Sequence, residues 1–165
     1  MQKVRNFTLL WATLVFFWLL LNGSFAPDVL LIGMIAAFLI VRLFRSGMSP
    51  LSDFNTTPHA FRAAVFYLFY FLKELIKSNL RLAAIVLSPS LPVKPGIVKV
   101  RTSLKSPMGR LLLANSITLT PGTLTVELRE EWLYIHWVTV DSSDTEAATA
   151  SIVAGFERYL EVMYG

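Results

Sequence analysis

Residues 6–41 read NFTLLWATLVFFWLLLNGSFAPDVLLIGMIAAFLIV, and this stretch decides the architecture. It carries one charged side chain, Asp28, which falls beside the turn residues Asn22-Gly23-Ser24 and Ala26-Pro27. Two apolar helices, Phe7 to Leu21 and Val29 to Val41, joined by a polar turn satisfy that pattern, so the spacing predicts a membrane-spanning helical hairpin over 1–46. Neither apolar run contains an acid, a base or a histidine, and a path for ions or protons through lipid needs such groups at membrane depth. The hairpin is therefore expected to sit in lipid without transporting anything by itself. A secretory leader cut after Ser24-Phe25-Ala26 is the competing reading. Against it stand the second apolar run, closed by Arg42-Leu43-Phe44-Arg45, and Pro27 directly after the cut. Both helices are short for a full hydrocarbon thickness, so Trp11, Trp18, Arg42 and Arg45 are expected as interface anchors.

Composition agrees with a membrane protein: 55% hydrophobic residues, 16% charged and a mean hydropathy of +0.58 are too apolar for an ordinary soluble domain. Cysteine is absent, which excludes disulfides and thiolate metal sites. The formal charge of +4 is unevenly spread. Residues 1–110 hold 13 Lys or Arg against 3 Asp or Glu, whereas residues 111–165 hold 2 against 8. A basic stretch beside apolar helices reads as contact with anionic membrane lipid or an acidic partner subunit. No nucleic-acid motif accompanies it, so nucleic acid is not an expected partner. Lys3 and Arg5 precede the first helix and Arg42, Arg45 and Arg62 follow the second, while the connecting turn has no cation. The positive-inside rule then puts both ends of the hairpin in the cytoplasm.

A third apolar stretch lies within 58–88 and carries Lys73, Glu74, Lys77 and Arg81. At about 100° per residue these fall with Arg62 and Tyr70 on one face, opposite Val65, Leu68, Phe69, Leu72, Leu75, Ile76, Ala83 and Ile85. A one-sided charged stripe fits an amphipathic helix lying along the cytoplasmic interface or packed between subunits. The alternative is a third crossing, in which Lys73, Glu74 and Lys77 would be intramembrane charges at a subunit interface or on a functional path.

The cluster Ser88-Pro89-Ser90-Leu91-Pro92 marks a boundary, and residues 95–165 read as a small α+β domain of β-α-β-β-α order. Ile97 to Leu104 alternates, with Val98, Val100, Thr102 and Leu104 on one side. Met108 to Ile117 is expected to be a short helix burying Leu111, Leu112 and Leu113. Pro121-Gly122 turns the chain into a second strand that runs to Leu128, and Trp132 to Val140 forms a third, with Leu133, Ile135, Trp137 and Thr139 on one face; the two are close enough to be a hairpin. Ser143-Asp144-Thr145-Glu146 has capping-box spacing and opens a last helix with Ala148, Ile152, Phe156, Tyr159, Leu160 and Met163 at core spacing. A domain this small is marginal alone, so docking on the membrane helix or on a partner is expected to stabilise it.

Chemistry is sparse. His136 sits in a strand and reads as a packed histidine, and His59, after Pro58, as a residue at headgroup level. Ser103, Ser106 and Ser116 lack a nucleophile elbow, and no phosphate loop or dinucleotide fingerprint occurs. Glu127, Glu130 and Glu131 have no His or Cys beside them and make a poor zinc site. No catalytic, cofactor-binding or metal-ligating residue is expected, and the chain does not read as an enzyme.

One segment is distinctive: Leu113-Ala114-Asn115-Ser116-Ile117-Thr118-Leu119-Thr120-Pro121-Gly122-Thr123. With Pro95-Gly96-Ile97-Val98 before it and Leu133-Tyr134-Ile135-His136-Trp137 after it, it closely resembles the E-type subunits of the bacterial Mrp-type multisubunit cation/proton antiporters. Its hydroxyls, its one amide and its Pro-Gly turn are groups that cap helices and satisfy turn backbones. The resemblance implies a hetero-oligomeric complex in the bacterial cell membrane that exports Na+, or in some relatives K+, in exchange for H+. It also implies that the large subunits carry the ion paths while small ones serve assembly or full activity. It supplies no catalytic residues. The reading from a different class is a self-sufficient membrane-anchored module whose tail binds a soluble partner through Thr118 to Thr123.

Overall fold

The computed structural model describes residues 2–43, 53–142 and 144–165, with residues 2–6 described by their backbone alone. The chain forms two compact units, Met1–Asp53 and Phe54–Gly165.

The first unit is the helical hairpin, α1 (Gln2–Asn22) and α2 (Pro27–Leu43). Gly23 turns the chain at φ +60°, and Pro27 opens α2, where its missing N–H costs nothing. The helices are antiparallel and pack closely because Gly33, Ala37 and Val41 are small and four residues apart on one buried stripe of α2. A Cβ at Gly33 would run into the Trp18 indole. The Trp11 indole N–H donates to Met34 O at 3.1 Å and that of Trp18 to Val29 O at 3.0 Å, so both tie one helix to the other. An indole N–H facing apolar surroundings needs an acceptor, and the facing backbone supplies it. Arg42 is exposed in the last turn of α2, and Arg45 lies outside the described residues. Among the described residues no helix is long and apolar enough to cross a membrane. The 17 residues of α2 reach about 25 Å against a hydrocarbon core of about 30 Å.

The second unit starts with α3 (Pro58–Leu87), capped by Thr57, whose hydroxyl accepts from Ala60 N at 3.2 Å. There follow β1 (Gly96–Arg101), α4 (Pro107–Leu119), β2 (Thr123–Arg129), β3 (Trp132–Trp137), α5 (Thr145–Ile152) and α6 (Ala154–Tyr164). The strands form an antiparallel sheet in the order β1-β3-β2, with Val98 opposite Ile135 and Thr125 opposite Ile135 from the other side. The expected alternation holds: Val98, Val100, Thr102 and Leu104 are buried, as are Leu133, Ile135 and Trp137. These side chains meet Leu113 and Ile117 of α4, Ala148 and Ile152 of α5, and Phe156, Leu160 and Met163 of α6 in one core. Each fully buried aliphatic side chain there contributes about 1.5–3 kcal/mol.

Three local expectations need correction. In α4 the buried residues are Met108, Gly109, Leu113, Ser116 and Ile117, whereas Leu111 is exposed and Leu112 half-buried. Three successive helical residues span about 200°, so they cannot share one face. The final helix is two helices, since the chain bends at Val153, which is itself fully buried. The cap of α5 is Asp144, whose Oδ2 accepts from Ala147 N at 2.9 Å, while Ser143 lies outside the described residues.

The Pro/Ser stretch after α3 is a turn inside the second unit, because α3 belongs to the same core. Ala60 and Ala63 are buried, and Ala64, Tyr67, Tyr70 and Phe71 pack on the cluster. Tyr70 stacks edge-on to Phe156 with ring centroids 5.2 Å apart. The docking that a small domain of this size needs is thus supplied by α3 itself.

Candidate functional site

The docked face of α3 places the charged stripe and the Asn-Ser-Ile-Thr-Leu-Thr-Pro-Gly-Thr run on one groove. Tyr70, Glu74, Lys77, Ser78 and Arg81 of α3 form one wall. Facing them is the rim Thr120-Pro121-Gly122-Thr123, with Trp137, Ile152 and Phe156 also lining a cavity of about 150 Å³. The sequence marks both groups separately; three-dimensional docking brings them together.

The hydroxyls of the run are spent on backbone. Thr120 Oγ1 donates to Ser116 O at 2.7 Å, and Thr123 Oγ1 reaches both Ile117 O at 2.6 Å and Thr120 O at 2.9 Å. Thr118 Oγ1 accepts from Thr125 N at 3.2 Å, and Thr125 Oγ1 donates to Ala114 O at 3.1 Å. These bonds satisfy carbonyls that the C-terminus of α4 leaves open and lock the entry into β2. Gly122 sits at φ +94°, a conformation that favours glycine, and its O accepts from Val138 N at 2.9 Å. Ser116 donates to Leu112 O at 2.7 Å, so its short contact with Tyr67 is one in which the phenol donates. Asn115 points away from the core and is exposed. Thr139, expected on the inner face, keeps its hydroxyl shielded, and that oxygen has no hydrogen-bond partner among the described residues.

On the opposite wall, Arg81 Nη2 donates to both oxygens of Asp141, at 2.9 and 3.0 Å. Lys77 Nζ lies 3.5 Å from Glu74 Oε2, and the Lys77 side chain is 71% exposed against 20% for Glu74. Lys73 is exposed. The stripe's neighbour Tyr70 fits tightly against Gly155, where a Cβ would collide with the phenol. Burial pushes the Tyr70 phenol up, with the nearby Glu74 carboxylate adding to the rise; burial also raises Tyr67. On the far side of α3, Val65, Leu68, Phe69, Leu72 and Ile76 are exposed, an apolar face with nothing of this unit over it. Ile85, expected on that side, instead lines the groove.

The histidines serve neither wall. His136 is half-buried on the outer sheet face opposite Ile97 and Leu124, and exposed His59 contacts Arg62 through Nδ1 at 3.2 Å. Glu127 pairs with Arg129 and Glu131 with Arg101. Two carboxylates that the sequence did not flag fix the end of β1: Glu157 accepts from Thr102 Oγ1 and from Ser103 N at 2.7 Å, and Glu161 accepts from Ser103 Oγ. Their i, i+4 spacing on α6 was the available signal.

A family model described as Na+/H+ ion antiporter subunit matches residues 11–163. The chain belongs to this antiporter subunit family. Among relatives, the E-type Na(+)/H(+) antiporter subunit of Alkalihalophilus pseudofirmus is 33% identical over 141 residues, covering 86% of this chain and 87% of its own. The E1-type Na(+)/H(+) antiporter subunit of Staphylococcus haemolyticus is 32% identical over 157 residues, covering 95% and 93%. A chain of the membrane-bound sulfane sulfur reductase, an archaeal respiratory membrane complex, superposes with a TM-score of 0.81 at 34% identity, covering 95% of this chain and 98% of that one. Membership makes the chain a component of a cation/proton transport assembly in the cell membrane, which agrees with the resemblance that residues 113–123 bear to the E-type subunits.

Proposed function

We propose that this chain is an accessory subunit that serves assembly or full activity of a multisubunit cation/proton antiporter, supporting Na+ or K+ efflux in exchange for H+ without forming the ion path. The observation that carries this reading is that Asp28, in the first turn of α2, is the one ionisable side chain between Phe7 and Val41. Thr13, the hydroxyl in the middle of α1, is turned back onto Leu9 O at 2.8 Å. A proton or cation passing at this depth would meet no group able to hold it.

In this proposal the hairpin crosses the bacterial cell membrane twice with both ends in the cytoplasm, accommodating the 17-residue α2 through local thinning. Helix α3 then lies in plane on the cytoplasmic surface, exposed apolar face toward the bilayer or neighbouring subunits, with the rest of the second unit docked on its inner side. Lys73, Glu74, Lys77 and Arg81 are surface and groove charges in this arrangement, and no step of catalysis belongs to this chain.

Blue-native electrophoresis of gently solubilised membranes tests the subunit role. Migration in a large assembly is expected, and a band at the size of this chain or its simple oligomer would favour the self-sufficient binding module. The purified chain in liposomes should show no Na+/H+ or K+/H+ exchange. For topology, a cysteine replacing Ser142 should resist impermeant thiol reagents in intact cells, whereas ready labelling means an odd number of crossings.

A further inference from the structure

The groove carries both signs of charge. Glu74 and Lys77 lie 3.5 Å apart on its α3 wall, with Arg81 one turn further along. Neither cation is saturated. Lys77 is largely exposed at a loose ion-pair distance, and Arg81 uses only Nη2 on Asp141, its Nε and Nη1 making no bond among the described residues. The mouth also borders apolar surface, since Ile76 and Leu80, beside Lys77 on the helix, are 62% and 67% exposed. A ligand that fits therefore has a cation and an anion a few ångströms apart and an apolar tail leaving beside them.

We propose that the groove between α3 and the Thr120–Thr123 turn binds the zwitterionic headgroup of a phosphoethanolamine-type membrane lipid. The phosphate meets Lys77 and the free edge of Arg81, the primary ammonium donates to Glu74, and an acyl chain runs over Ile76 and Leu80. The cavity of about 150 Å³ holds a headgroup of that size but no folded peptide segment. The Thr120–Thr123 turn that follows α4 closes the facing rim. A purely anionic headgroup would leave Glu74 facing a phosphate, and a trimethylated ammonium cannot donate to it. This inference rests on the in-plane placement of α3 proposed above.

The test uses the full-length chain in nanodiscs of mixed phosphatidylethanolamine, phosphatidylcholine and phosphatidylglycerol, with retained lipid measured by native mass spectrometry. Phosphatidylethanolamine should be retained over both others. Glu74→Gln should lower that preference about tenfold, the loss of one charge-assisted hydrogen bond, whereas Lys77→Gln, which removes a contact to the phosphate that all three lipids share, should lower phosphatidylethanolamine retention about tenfold without favouring another headgroup. Ser151→Phe, which fills the cavity from an exposed position on α5, should abolish it with helix content unchanged. Retention that ignores headgroup identity, a preference for phosphatidylglycerol, or insensitivity to all three substitutions overturns the proposal. So does equal displacement by soluble phosphoethanolamine, which would assign the groove to a water-soluble ligand. Blue-native migration of the unsubstituted chain separates this outcome from failure of the subunit reading, since incorporation into a large assembly leaves that reading standing whatever the groove binds.

Discussion

The hairpin and α3 are both apolar helical segments, yet they solve different problems. In the hairpin, small residues on α2 let two helices touch, the indole N–H groups bond across the pair, and apolar side chains such as Phe16, Phe17, Leu31 and Ile35 face outward. In α3, alanines and tyrosines dock one face on a folded core, charges line a groove, and only the remaining face is apolar and open. Average hydrophobicity barely separates α1 from α3. What separates them is where the polar groups find partners: inside the helix pair in one, in a neighbouring sheet-and-helix layer in the other.

The largest effect that would break this contrast is expected at Gly155. Replacing it with Val drives a branched side chain into Tyr70, and the second unit should lose about 2–3 kcal/mol, read as a lower unfolding midpoint and faster proteolysis in residues 88–92. Gly33→Leu makes the matching collision with Trp18 in the hairpin. It should cost about 2 kcal/mol and lower the thermal midpoint in detergent, while leaving the second unit's near-UV signal intact. Tyr67→Phe removes the donor to Ser116 and should cost about 1 kcal/mol.

The same tyrosines set an alkaline limit. Because burial raises Tyr67 and Tyr70 above their ordinary value of 10.0, the folded state holds these protons more tightly than the unfolded chain. Their contribution is complete below pH 10.0 and is lost as pH rises through the raised folded values, so stability should fall above that point. The fall should be shallower in Tyr67→Phe. The smallest effect is expected from Arg81→Gln, which breaks an ion pair whose side chains are 52% and 49% exposed and should cost about 0.5 kcal/mol, vanishing at high salt.

Strand alternation was readable because each strand has one buried face, and the hairpin because Asn22-Gly23 and Pro27 punctuate an uncharged run. Helix faces were harder. Leu111 to Leu113 looks like a core triplet in a list of residues, but helical geometry turns Leu111 outward. For Trp11 and Trp18, the facing carbonyls that their indoles bond lie on the other helix and leave no mark in the local sequence. The groove was half visible: its two walls stood out as a charge stripe and a hydroxyl-rich run, far apart in the chain, but nothing in either announces that Tyr67 and Ser116 join them. That link depends on Gly155 admitting Tyr70, a long-range steric fact with no local signature.

The cations of α3 also bias how that helix lies. By helical geometry Arg62, Lys73 and Lys77 follow one border of the open apolar face, while the other border is Ala64, Leu75 and Leu82. A negatively charged plane beneath the helix pulls on a single side, so the helix acquires a preferred roll about its own axis, and everything anchored to its inner face tips with it.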